Sequence, residues 1–176
     1  MWTSTIDARL MADDVALAYR RKGFDVRTAQ FHHNFSVQTL ASIGATARDS
    51  VAVNADGFFV WLATAMSTRG RVGASDYDAL NEESALIGVG VRITDVQGSY
   101  QFTGPDRLPH QTLAGSAEAP YILGFPYIFR PTSRIQAEFL HEYGTFSADP
   151  VRVQLSLIGV YLWTTPYTRT VYYPEP

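Results

Sequence analysis

The spacing of apolar residues changes near residue 24. Before it, Ile6 and Leu10 are four apart, and Met11, Val15 and Ala18 continue the same face, which predicts a helix over residues 4–22. Ser4 or Thr5 can cap its start, and Asp7 lies near the positive end of its dipole. Arg20, Arg21 and Lys22 fall in the last turn, where cations are favoured, and Gly23 can close it in the left-handed conformation. This basic cluster completes a helix end; an anionic partner is the rival reading.

From Phe24 the period becomes two. Phe24, Val26 and Thr28 alternate with Asp25, Arg27 and Ala29, and Val51 and Val53 with Ala52 and Asn54. Residues 54–57 read as a turn. Phe58 to Met66 is apolar on both faces, and its aromatic and branched residues suit a buried strand better than a short helix. Residues 67–86, with Gly70 and Gly73, read as a long loop with a helical turn near Asp78 to Ala85. Val89, Val91 and Ile93 mark a strand, with Tyr100 and Phe102 as its hairpin partner. Residues 104–120 hold three prolines and two glycines and read as a loop. Tyr127 to Phe129, Ile135 to Phe139 and Val151 to Leu157 are further strands. In the last of these, Val153, Leu155 and Leu157 point inward, while Arg152, Gln154 and Ser156 point outward. Gly159 breaks or bulges that strand before Val160 to Trp163.

Roughly seven or eight short strands separated by turns predict a mostly β protein: an antiparallel β-sandwich or jelly roll with an N-terminal helix or arm. The expected organisation is a helix and arm over residues 1–47, a sandwich domain over 48–163 and a tail over 164–176. The tail, rich in aromatics and proline, cannot form its own core. Both terminal segments are expected to dock on a neighbouring molecule.

Composition narrows the function classes. A net charge of −3 argues against nucleic acid as the main partner. The single lysine among thirteen arginines carries no mechanism. With no cysteine, thiolate nucleophiles, disulfides and cysteine-held metals are excluded. No stretch approaches the roughly 20 apolar residues of a membrane span, and Met1 to Leu10 does not read as a secretory signal. Charged residues make up only 18% while aromatics make up 13%, which suits a chain that hides surface in a core or against neighbours.

Candidate chemistry is sparse. Among the four histidines, His32 and His33 are adjacent and would face opposite sides of a strand, unlike the paired histidines of a β-barrel metal site. His141 and Glu142 diverge in the same way and cannot form an acid–base dyad. Asp76, Asp78, Glu82 and Glu83 lack calcium-loop spacing and read as a solvated loop. Ser99 and Ser133 have no nucleophile-elbow context, and Gly70, Gly73, Gly88 and Gly90 make no phosphate loop. No catalytic, cofactor-binding or metal residue is expected, and no cofactor.

One pattern has a family likeness. Pro120-Tyr-Ile-Leu-Gly-Phe-Pro-Tyr-Ile-Phe129 leads through Pro131 into the strand Arg134 to Phe139, and Arg152 to Val160 closes the domain. Asp49-Ser50-Val51 precedes Asp56 and Phe58, and Tyr100-Gln101-Phe102 precedes a loop. Together these segments, spanning about 48–163, resemble small jelly-roll-like virion proteins of tailed bacteriophages. The likeness rests on packing motifs and brings no catalytic residue; residues 4–22 and 67–86 lie outside it. It implies a non-enzymatic virion structural protein, assembled in the host cytoplasm. Such a protein decorates or cements the capsid or sits at the neck or tail, as a homo-oligomer in contact with capsid, portal or tail components. The rival class is a carbohydrate-binding sandwich, with Trp61, Trp163 and loop tyrosines stacked on sugars. A third is a small β-barrel enzyme, which the histidine spacing disfavours.

Overall fold

The computed structural model describes residues 5–22, 24–71, 77–79, 87–103, 106–115, 119–144 and 150–166. Its elements are α1 (Thr5–Arg21), β1 (Phe24–Asn34), β2 (Gln38–Leu40), β3 (Thr46–Ala52), β4 (Gly57–Arg71), β5 (Tyr77–Ala79), β6 (Ile87–Asp95), β7 (Tyr100–Gln101), β8 (Leu108–Pro109), α2 (His110–Leu113), β9 (Tyr121–Phe129), β10 (Arg134–Gly144) and β11 (Val151–Pro166). Period-two alternation makes each long strand two-faced, and two antiparallel sheets bury the apolar faces against each other. In the first sheet, β11 lies between β1 and β4, with β2 beside β11 and with β5 and β9 along the far edge of β4. In the second, β10 lies between β3 and β6, and β7 and β8 follow β6. With β2, β5 and β7 left aside, the described strands form the layers β1-β11-β4-β9 and β3-β10-β6-β8. Chain order crosses repeatedly from one layer to the other, which is the winding of a jelly roll.

β11 shows how the pattern sets the core. Val153, Leu155 and Leu157 are fully buried, Arg152 is exposed, and Gln154 and Ser156 are half-buried, as the alternation requires. At Gly159 the register with β4 slips by one residue, so Leu62 of β4 has no opposite number. A side chain at Gly159 would strike the Val60 carbonyl and the Phe59 ring, so the close crossing needs glycine. The same bulge brings the Ala63 carbonyl within 2.9 Å of the buried Trp61 indole N–H, which donates to it.

The doubly apolar run in β4 serves two layers. Phe59, Trp61 and Met66 face the second sheet. Val60 and Leu62 face outward, where with Val26 and Leu162 they are covered by Ala16, Val15 and Tyr19 of α1. The Tyr19 and Phe58 rings lie 5.5 Å apart, and Arg20 Nη2 donates to the Val26 carbonyl over 3.2 Å. The helix expected to dock on a neighbour therefore docks on its own sheet. Residues 24–40, placed with the N-terminal arm from the sequence, pair with β11 and put Phe35 and Leu40 into the main core. The expected loop over 67–86 begins instead as strand, because β4 runs on to Arg71 against β11 and β5. Likewise β8 and α2 lie within the expected 104–120 loop. The 167–176 tail falls outside the described residues.

Candidate functional site

The histidines sit where strand alternation puts them. His32 is exposed and His33, next to it, is buried. His33 lies among rings, 4.8 Å from Phe31 and 4.5 Å from Phe59, so it fills a core position. Burial without a counter-charge lowers its pKa from 6.5 to about 4. Burial also lowers that of His110, opposed by a hydrogen bond at Val89. His141 faces inward from β10 while Glu142 is half-buried on the other side of that strand. Among the described residues no three His, Asp or Glu side chains gather as metal ligands. Asp78 lies in β5; Asp76, Glu82 and Glu83 lie outside the described residues.

The His33 shift has a consequence for stability. The folded state holds this ring neutral well below the pH at which the unfolded chain protonates it. Between pH 6.5 and 4 the unfolded state therefore binds the extra proton, and stability falls as pH falls through that window. The loss from this residue is expected to reach about 3 kcal/mol. Urea midpoints at pH 7 and pH 4.5 measure it, and His33→Leu should flatten the difference.

The outer face of the second sheet carries an ion-pair network. Arg48, Glu138 and Arg92 lie side by side on β3, β10 and β6. Glu138 Oε1 accepts from Arg48 Nε at 2.8 Å and Gln136 Nε2 at 3.1 Å. Its Oε2 accepts from Arg92 Nη2 and lies 3.6 Å from Arg107 Nη2. The carboxylate is nearly buried, so its donors take the place of water. Glu138→Gln keeps the shape and removes the charge; it is expected to cost about 2 kcal/mol in a thermal or urea melt.

The most unusual surface is the edge of β9, which among the described residues pairs with β4 alone. This strand pairs with β4 in two segments, Tyr127–Phe129 and Tyr121–Ile122, and residues 123–126 stand against the single Leu62. Gly124 and Pro126 explain the excursion. Pro126 has no N–H to give a ladder, and the space beyond Gly124 is open. Leu123 turns back onto the core, whereas Phe125 is 89% exposed. Tyr121 and Tyr100 are also exposed. Tyr100 stacks on Tyr127 with ring centroids 5.6 Å apart. The Tyr127 hydroxyl donates to Asp95 Oδ2 at 3.2 Å, and burial, with the Asp95 charge second, raises its pKa. Asp95 in turn accepts from the Gln97 and Gly98 amides, so the platform is held from below. No residue from 120 to 129 is charged.

The tryptophans named as sugar platforms are turned inward. Trp61 is 1% exposed, and Trp163 is half-buried with its ring 5.1 Å from that of Tyr161. A shallow hollow on the first sheet is lined by Val37, Ser67, Arg69, Arg152, Val153 and Gln154, a set with no histidine or carboxylate to act as a base. The sequence showed the apolar run at 120–129, but not the protrusion of Phe125. The signal was Gly124 and Pro126 inside an otherwise regular strand pattern. Glu138 read as an ordinary outward polar residue because its arginine partners come from distant segments.

No helix among the described residues is long and apolar enough to cross a membrane. No protein-family model and no curated protein matches the chain. Among solved structures, a chain of the cyanophage Pam1 capsid asymmetric unit is similar at 12% identity and a TM-score of 0.33, with 80% of this chain and 86% of that chain covered.

Proposed function

We propose that this chain is a non-enzymatic structural protein of a tailed-bacteriophage virion, decorating or cementing the capsid or sitting at the neck or tail. The observation that carries this reading is the uncharged, aromatic edge of β9, which among the described residues pairs only with β4 of the jelly-roll frame. Isolated exposed apolar residues are ordinary, but Phe125 and Tyr121 are both exposed on one strand that holds no charge. Such an edge suits contact with other protein surfaces. Jelly rolls serve viral capsids, lectins and cupins alike, so the frame supports the reading by analogy and the edge supports it by chemistry. The resemblance of the segments over about 48–163 to phage virion proteins points the same way. The histidines that a cupin site would place together lie on opposite faces and in different sheets.

Rebinding tests this function. Particles assembled without the protein, mixed with purified chain, should take it up to a fixed number of copies per particle. Failure to bind, combined with specific retention on a glycan array, would replace this reading with the carbohydrate-binding one.

A further inference from the structure

The edge of β9 admits a more specific statement, which rests on the structural-protein reading and deepens it. We infer that β9 is a self-association surface, where two copies of this chain meet edge to edge about a two-fold axis, with Phe125 of each buried against the other. The first observation is exposure: β9 has a strand partner only in β4 among the described residues, and Phe125, in the segment that leaves the ladder, is almost fully exposed. The second is the absence of protection. Edge strands that must stay alone carry charges, lysine above all, that repel another edge. Residues 120–129 carry none, although 18% of the chain is charged.

That neutrality favours a second copy over an unrelated partner. In a two-fold interface only a residue at the axis meets its own equivalent, so a charge there faces a like charge. The uncharged stretch around Phe125 suits that axial position, whereas a foreign partner could be matched by opposite charges. The bulge at 123–126 interrupts the ladder, so the contact is made by side chains and is not a continuous intermolecular sheet. Phe125 is the anchor, and Tyr121, 46% exposed, flanks it on the same strand. The aromatic patch is small beside the roughly 800 Å² per partner of a stable dimer, so the association is weak in solution. In a shell, many such contacts add through effective concentration.

Sedimentation velocity on the full chain over a wide concentration range tests this. The wild-type chain should self-associate reversibly. Phe125→Asp should raise the dissociation constant at least about tenfold with an unchanged melting temperature, since the side chain touches little in its own fold. Ile43→Asp, at an exposed apolar site on the β2–β3 turn, should leave association as it was. The chain has no cysteine, so Gly124→Cys supplies a single thiol. Under mild oxidation it should form disulfide-linked dimers faster than Ile43→Cys does. A wild-type chain that stays monomeric, equal association of Phe125→Asp and wild type, or equal cross-linking of the two cysteine variants overturns the inference. A chain that self-associates through β9 yet is missing from particles keeps this inference and removes the virion role; a monomeric chain found in particles does the reverse.

Discussion

Deleting residues 1–22 is expected to cost the sandwich about 5 kcal/mol, or to leave it insoluble. The helix covers Val26, Val60, Leu62 and Leu162, each no more than 4% exposed. Full burial of such side chains contributes roughly 1.5–3 kcal/mol each, and removing α1 forfeits a large part of that. For a domain whose total stability is of order 5–15 kcal/mol, the loss is severe. It also leaves a contiguous apolar patch on the outer face of the first sheet, a route to aggregation. Circular dichroism and a thermal melt of the truncated chain measure it. A truncated chain that melts within a few degrees of the full one would show that α1 is a dispensable arm, as its terminal position alone suggested.

The second large effect is expected at Leu155. Its side chain is fully buried, it sits opposite Met66 across the β11–β4 ladder, and its carbonyl accepts from the Phe35 amide over 3.0 Å. Truncation to alanine removes three heavy atoms from a packed site without disturbing that backbone bond. Leu155→Ala should therefore lower stability by about 2–5 kcal/mol, the spread reflecting how far neighbours relax into the space. Gln154→Ala, one residue away on the opposite face, should change it by less than about 0.5 kcal/mol. Equal effects at the two positions would contradict the assignment of faces.

The two positions mark what local pattern can reveal. Alternation in 151–157 gave both the strand and its buried face, because that information lies in neighbouring residues. The helix over 5–21 was legible for the same reason. Pairing was not. β1 finds its partner in β11, over a hundred residues later in the chain, and nothing in Phe24 to Asn34 names that partner. The double use of β4 was half legible: a strand apolar on both faces must be covered on both, but only the fold shows α1 as the second cover. The polar end of β4, Ser67 to Arg71, read as loop because its glycine and arginines outweighed a strand signal that tertiary pairing with β11 supplies. At the surface, the absence of charge in 120–129 was readable from the start. That Phe125 leaves the ladder there follows from the register of β9 against β4, which no local pattern contains.

The proposed structural role is open to one direct measurement. Quantitative mass spectrometry of purified particles, from a phage whose genome encodes this chain, counts its copies against the major capsid protein. A fixed, multi-copy ratio that survives gradient purification is the predicted result. Particles that are complete and infectious without the chain, which is found only in the lysate, would contradict it.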